Sequence, residues 1–323
     1  MKAALVGENG LEIREVDMPV AGPDEVLVRV RASGLNRADL GMRAGHAHGA
    51  AGEAGAILGL ECAGEVVATD HGVDDIAIGD RVMCAVRGGY AEYALAHRGR
   101  VHRIPPGMDF AEAACYPVAL QTMHDAVVVR GRLVRGETVL VQGASSGVGL
   151  MAMQIARRFG AKRVIGSSGN DARRARLVEF GADSVIDTRD PAWPDEVLRL
   201  TEGRGVDLVI DQLSGPYANG NLRATAICGR IVNVGRLAGM RAEFDFDLHA
   251  LRRIEYIGVT FRTRSVDEVS EINRLMIADL GPALAAGELR MPIDRRFPLE
   301  QANAALDYMQ ANAHFGKLVL EVG

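Results

Sequence analysis

The stretch from Glu137 to Gly160 constrains this chain more than any other. Val139, Leu140 and Val141 form a short apolar run, as a strand buried on both faces does. A glycine-rich segment follows, Gly143, Ala144, Ser145, Ser146, Gly147, Val148 and Gly149. Val148, Met151, Ala152, Ile155 and Phe159 then recur on one helical face. Arg157 and Arg158 stand in the last turn, where cations suit the helix dipole, and Gly160 is placed to cap the end. The pattern predicts a strand, a glycine turn and a helix. Glycines remove Cβ atoms, so that backbone can approach a ligand closely, and the helix start attracts a pyrophosphate. The spacing Gly-x-x-x-Gly-x-Gly also fits an ordinary tight turn. The strand before it and the periodic helix after it favour a dinucleotide site.

Length and composition bound the rest. At 323 residues the chain has room for about two domains. A formal net charge of -5 gives no reason to expect nucleic acid as a partner. No stretch approaches the roughly 18 apolar residues of a membrane span, and the N-terminus reads as a first strand, not a signal peptide. Cys62, Cys84, Cys115 and Cys228 have no paired spacing and read as reduced core thiols of a cytoplasmic protein.

Residues 1–117 look β-rich. Strands are expected at Lys2–Val6, Leu11–Val16, Glu25–Arg31, Gly64–Ala68, Asp80–Ala85 and Tyr90–Ala94, punctuated by Gly79-Asp80 and Gly88-Gly89. Gly41–Gly59, rich in Gly and Ala with His46 and His48, reads as a mobile loop. Residues 118–262 alternate strand and helix, with strands at Arg163–Ser167, Ser184–Asp187, Val206–Asp211, Gly229–Gly235 and Tyr256–Val259. That alternation predicts an α/β doubly wound parallel sheet, with ligand beyond the carboxyl ends of the strands. Gly143–Gly149, Ser167–Arg173, Asp211–Gly215 and Val234–Leu237 fall at such ends. In 263–323, a long helix over Val266–Ala286, a helix over Glu300–Gln310 and a closing strand Lys317–Val322 are expected, the tail returning to complete the first domain.

Several strings resemble the zinc-independent branch of the medium-chain dehydrogenase/reductase superfamily, most of all its NADPH:quinone oxidoreductase (zeta-crystallin-like) family. They are Ala32-Ser-Gly-Leu-Asn36-Arg-Ala-Asp39, Leu58-Gly-Leu-Glu61-Cys-Ala-Gly-Glu-Val, Gly79-Asp-Arg-Val, Gly89-Tyr-Ala-Glu-Tyr, Gly143-Ala-Ser-Ser-Gly-Val-Gly149, Gly203-Arg-Gly-Val-Asp207 and Gly316-Lys-Leu-Val-Leu320. They cover nearly the whole chain in family order. The resemblance implies a GroES-like β domain, 1–117 with 263–323, split around a Rossmann NADPH-binding domain, 118–262. It also implies a homodimer through the edge strand near Tyr256–Val259. Zinc-dependent relatives carry a cysteine and a Gly-His-Glu motif where this chain has Asn36 and Gly59-Leu60-Glu61, so thiolate and imidazole are both missing and no metal is expected. His46 and His48 lack a third partner and read as solvated.

The cofactor follows from the second parallel strand. Gly166-Ser-Ser-Gly-Asn170 puts no acid at its end, where an NAD site usually holds the 2′-hydroxyl. Arg173 matches the position of a family lysine that contacts the 2′-phosphate, and a guanidinium forks onto phosphate. NADPH is therefore expected, although Asp187-Thr188 stands where the family often has a tyrosine. By resemblance, Asn36 and Asp39 lie near the nicotinamide or substrate; helix capping or turn formation is the alternative for each. Gln121 and Thr122, at the start of a crossing helix, match positions near the carboxamide. Gly143, Ser145, Ser146, Gly147, Val148, Gly149, Ser168, Val234, Gly235, Phe261 and Lys317 complete the implied cofactor set.

Hydride transfer without a Lewis acid suits a quinone or another small-molecule conjugated carbonyl acceptor, because charge delocalises onto oxygen. An enoyl or alkenal reductase of the same fold is the alternative, and a non-catalytic NADPH-binding sensor or crystallin-like protein a third. A short-chain dehydrogenase is set aside: no tyrosine here has lysine four residues on. The loop at Gly45 lacks the tyrosine and proline of many close relatives, which bears on acceptor size.

Overall fold

The computed structural model describes residues 1–8, 10–45, 54–70 and 72–323. The expectations for His46 and His48, and for the loop around them, lie outside the described residues. The chain forms two compact units: Met1–Gln121 with Phe261–Gly323, and Thr122–Thr260.

The first unit opens with a hairpin of β1 (Lys2–Gly7) and β2 (Gly10–Glu15), Ala4 facing Ile13. Its main sheet starts with β3 (Glu25–Gly34), β4 (Glu61–Thr69), β5 (Arg81–Ala85), β6 (Tyr93–His97) and β7 (Val101–Arg103). Alternating valines in β3 enter the core: Val26, Val28 and Val30 are buried with Cys62, Val66, Val82 and Cys84 of the neighbouring strands. β6 begins later than expected, because Tyr90 and Ala91 serve β1 instead. The Ala4 amide donates to the Tyr90 carbonyl at 2.8 Å, and Ala91 bridges Ala3. A helix over Arg37–Arg43 occupies the start of the stretch expected to be a loop; it buries Met42 and Asp39.

The second unit holds β8 (Thr138–Val141), β9 (Arg163–Ser167), β10 (Ser184–Ile186), β11 (Val206–Asp211), β12 (Thr225–Asn233) and β13 (Glu255–Gly258). They form one six-stranded sheet in the order β10-β9-β8-β11-β12-β13. Every pair is parallel. This is the doubly wound Rossmann arrangement, with its switch point between β8 and β11, where Leu140 sits between Ile165 and Val209. The helix Gly147–Arg158 after β8 buries more than the predicted stripe: Leu150, Met153 and Ala156 are enclosed with Met151, Ala152 and Ile155. Gly160, at φ +86, follows its end.

The chain then returns to the first unit. β14 (Ile293–Pro298) and β15 (Lys317–Glu321) complete its sheet in the order β14-β15-β3-β4-β5-β7, with β6 on β3. β15 runs antiparallel to β3, Val319 facing Gly34. The unit is thus a GroES-like, largely antiparallel sheet interrupted in sequence by the parallel one. The long helix Val266–Ala285 starts at a capping box, in which Ser265 Oγ accepts from the Glu268 amide at 3.1 Å and Glu268 accepts from the Ser265 amide at 2.8 Å. Ser265→Ala should lower stability by about 1 kcal/mol in urea unfolding; an unchanged midpoint would show that packing alone holds that end.

Candidate active site

In the second unit the predicted residues gather around the end of β8. Gly143 takes φ +68, a conformation that a side chain would strain. Ser146 caps the following helix: its Oγ accepts from the Gly149 amide at 3.1 Å and lies 2.8 Å from Gln212 Oε1. A Cβ on Gly149 would sit 2.7 Å from the Ala144 Cα and the Gly143 carbonyl oxygen, so only glycine lets helix and turn meet here. Gly147 and half-buried Val148 open the helix, and the amides of a first turn have no carbonyl one turn back. This cradle fits a pyrophosphate.

The turn is braced from below. Gln142, fully buried, donates to Asn221 Oδ1 at 2.9 Å and accepts from Ser167 Oγ at 2.6 Å. Ser167 Oγ in turn accepts from the Gly143 amide at 3.0 Å. Ser168 Oγ lies 3.2 Å from Ser145 Oγ. Beyond β12, the Val234 and Gly235 amides donate to the Asp211 carbonyl at 2.8 and 3.1 Å. The Asp211 carboxylate, buried and raised above its usual pKa by desolvation, accepts from the Leu213 and Ser214 amides, both at 2.9 Å. Gln142, Gln212 and Asp211 carried no sequence signal beyond their place at strand ends.

At the ends of β9 and β10, Arg173 sits half-buried in the short helix Asp171–Ala175. Arg174 bonds the Ser168 carbonyl at 3.0 Å and the Asp187 carboxylate at 3.0 Å. Arg189 grips Asp187 at 2.6 Å and Asp171 at 2.5 Å, and its hydrogen bonds hold the Asp187 carboxyl below the usual range. The acid at position 187 is therefore engaged by two guanidinium groups. Arg189 is a member of this cluster that sequence reasoning missed.

In the first unit Asn36, Asp39 and Lys317 come together with two residues not predicted as site members, Glu61 and Tyr90. Lys317, 5% exposed, directs its ammonium at the Leu35 carbonyl (2.6 Å), Asn36 Oδ1 (3.0 Å) and Glu61 Oε1. Asn36 Nδ2 also donates to Glu61 Oε1 at 2.9 Å, and the Val118 amide donates to Glu61 Oε2 at 2.8 Å. Asp39 is fully enclosed. Its Oδ2 accepts from Tyr90 Oη at 2.6 Å and from the Asn36 amide at 2.7 Å, while Oδ1 has no partner among the described residues. Burial pushes its pKa up to about 7, against the opposing hydrogen bonds from Tyr90 and Asn36. The capping alternative thus holds for Asp39, which stands at the third helical position and takes the Asn36 amide.

These donors do not fit a zinc ion. The two oxygens that a cation would seek, Asn36 Oδ1 and Glu61 Oε1, already face an ammonium, and a dication beside Lys317 Nζ would be repelled. Among the described residues no three His, Cys, Asp or Glu side chains converge. Gln121 lies inside the helix Pro117–His124, not at its start, and is 6% exposed. Thr122 is half-buried beside it. Phe261 carries the Arg264 guanidinium 5.0 Å from its ring centre. No described helix is long and apolar enough to cross a membrane.

Two family models match the chain. Residues 22–106 match the alcohol dehydrogenase GroES-like domain, and residues 147–277 match the zinc-binding dehydrogenase domain. A probable oxidoreductase from Mycobacterium abscessus superposes with TM-score 0.87 at 33% identity, covering 99% of this chain and 98% of that one. Mycobacterial Rv1454c complexed with NADPH gives TM-score 0.90 at 27% identity over 99% and 100%. The CurK enoyl reductase gives 0.89 at 25% identity over 100% and 99%. A mycocerosic acid synthase-like polyketide synthase of Mycobacterium tuberculosis (strain ATCC 25618 / H37Rv) is 31% identical over 97% of this chain, which spans only 15% of that protein's length.

Two measurements check the buried cluster. Lys317→Met leaves the Glu61 carboxylate enclosed without its cation and should cost about 3–5 kcal/mol in urea unfolding; a loss below 1 kcal/mol would mean that Glu61 is paired elsewhere. Asp39 keeps its proton in the folded state after the unfolded carboxyl has lost it. Its contribution therefore weakens stability as pH rises from about 4 to about 7. Asp39→Asn should flatten that part of the stability–pH curve; a curve parallel to wild type would contradict the raised pKa.

Proposed function

The chain belongs to the medium-chain dehydrogenase/reductase superfamily of NAD(P)-dependent oxidoreductases, and we propose that it is an NADPH-dependent, zinc-independent reductase of quinones or other conjugated carbonyl acceptors. The observation that carries this reading is the Lys317 ammonium seated against Asn36, which by resemblance stands where zinc-dependent relatives carry a cysteine, and against Glu61. An acceptor that spreads the incoming charge onto its own oxygen needs no Lewis acid.

Reduced nicotinamide, when bound, supplies the hydride. Gly143, Ser145, Ser146, Gly147, Val148 and Gly149 would hold its pyrophosphate, and Val234 and Gly235 the chain of the cofactor beyond it. Ser168 and Arg173 would take the 2′-phosphate. The arginines at 173, 174 and 189 outnumber the acids at 171 and 187, and both acids are ion-paired. That balance favours a phosphate over a bare hydroxyl. Gln121, Thr122 and Phe261 would orient the nicotinamide end. Asn36, Asp39 and Lys317 act as positioning residues: Asp39 fixes the helix start that presents Asn36, and Lys317 neutralises Glu61 beneath it. The proton that completes reduction comes from solvent.

The likeness to the CurK enoyl reductase and to a polyketide synthase supports a second reading, reduction of a carbon–carbon double bond conjugated to a carbonyl. A dimer through β13 agrees with the exposed Leu237, Met240, Phe246 and Leu251 in the same unit.

A parallel assay with NADPH and NADH against a benzoquinone and an α,β-unsaturated ketone, with product identification, separates these readings. Turnover of the quinone with NADPH, unaffected by a chelator, is expected. Tight NADPH binding without turnover of any acceptor would favour a sensor, and loss of activity on zinc removal would overturn the proposal. Arg173→Ala should raise KM for NADPH about tenfold and leave KM for NADH unchanged; equal effects on both would remove Arg173 from the phosphate site.

A further inference from the structure

A chain of three hydrogen-bonded side chains in the first unit has one orientation only, fixed from a backbone carbonyl. The Val269 carbonyl can only accept, and Asn273 Nδ2 lies 2.8 Å from it. This settles which end of the Asn273 amide is nitrogen. The second Nδ2 hydrogen points at Gln121 Oε1, 3.0 Å away. Asn273 Oδ1 then faces His102 Nε2 at 3.0 Å, so the imidazole must donate from Nε2. Burial pushes the His102 pKa down, which favours the neutral ring with that single proton.

The consequence falls on Gln121. Its oxygen is committed to Asn273, so it cannot flip without leaving two amide nitrogens face to face. Gln121 is 6% exposed and Asn273 1% exposed. Among the described residues the Gln121 Nε2 group has no hydrogen-bond partner, yet it is not sealed from solvent as a buried orphan would be. A side chain more than nine-tenths buried thus presents a donor that no described residue takes up. A glutamine is normally ambiguous, able to offer donor or acceptor; this one is not.

We propose that His102 and Asn273 are positioning residues that lock the Gln121 amide with its NH₂ group outward, so that it selects a carbonyl oxygen on the ligand. This rests on the function proposed above, and on that reading the carbonyl is the nicotinamide carboxamide oxygen. Neither His102, on β7, nor Asn273, on the helix Val266–Ala285, is near Gln121 in sequence, and neither needs to touch the ligand to act.

The test compares two probes on the full chain. NADPH carries the carboxamide, while 2′,5′-ADP carries only the adenosine phosphates. Asn273→Leu removes the lock. It should weaken NADPH binding about tenfold while leaving 2′,5′-ADP binding as in wild type, and should raise KM for NADPH more than it lowers kcat. His102→Phe, at a half-buried position, should move the same way by a smaller factor, whereas His102→Gln keeps a donor nitrogen and should restore most of the affinity. If Asn273→Leu does not fold, the two His102 variants decide the matter. Unchanged NADPH affinity in His102→Phe, or equal losses for both probes, would overturn the inference. Failure of wild type to bind NADPH at all would instead overturn the proposed function.

Discussion

The buried ammonium of Lys317 is the constraint on which the first unit depends. One nitrogen at the start of β15 reaches the end of β3 through Leu35, the helix start through Asn36, and the start of β4 through Glu61. Glu61 extends the link to the helix Pro117–His124 through the Val118 amide. Elements from both ends of the chain therefore close on a single charge pair. Such a pair, removed from water, stabilises only when its remaining donors and acceptors are satisfied. Here the carboxylate gains an amide from Asn36 and another from Val118, and the ammonium gains a carbonyl and an amide oxygen. The same saturation disqualifies the site as a metal centre: charge balance is complete before any ion arrives.

The second unit shows the opposite economy of means. Its cradle is made of absent atoms at Gly143 and Gly149, and the specificity lies in what surrounds them. Ser146, Gln142, Ser167 and Gln212 form a continuous hydrogen-bonded floor beneath the turn. Buried polar groups of this kind are tolerated because each has a partner, and once paired they fix one geometry.

Legibility in the sequence follows the range of the interactions. The parallel strands Arg163–Ser167 and Val206–Asp211 lie where the apolar runs put them, because burial on both faces leaves a local trace. The glycine turn was legible for the same reason. The β6 boundary was not, since Tyr90 leaves the strand to reach β1 and Asp39, and nothing near residue 90 announces either partner. Lys317 reads from sequence as a cofactor contact by resemblance, whereas its ammonium points inward to groups more than 250 residues away in the chain. Asn273 carried no local signal at all; its meaning appears only when the long helix packs beside Gln121 and His102.

Ser214 ends β11's loop at φ +55 and ψ -150, a backbone shape that L residues avoid at a cost of about 1–3 kcal/mol. Three groups compensate: the Asp211 carboxylate, Asn233 at the end of β12, and the Gly235 carbonyl just beyond it. Two of the three lie at or just past the end of β12, which is synthesised later. The rim of the sheet is therefore a keystone in the mason's sense: its contorted residue settles only after the neighbouring course is laid, and slackening that course lets it spring free.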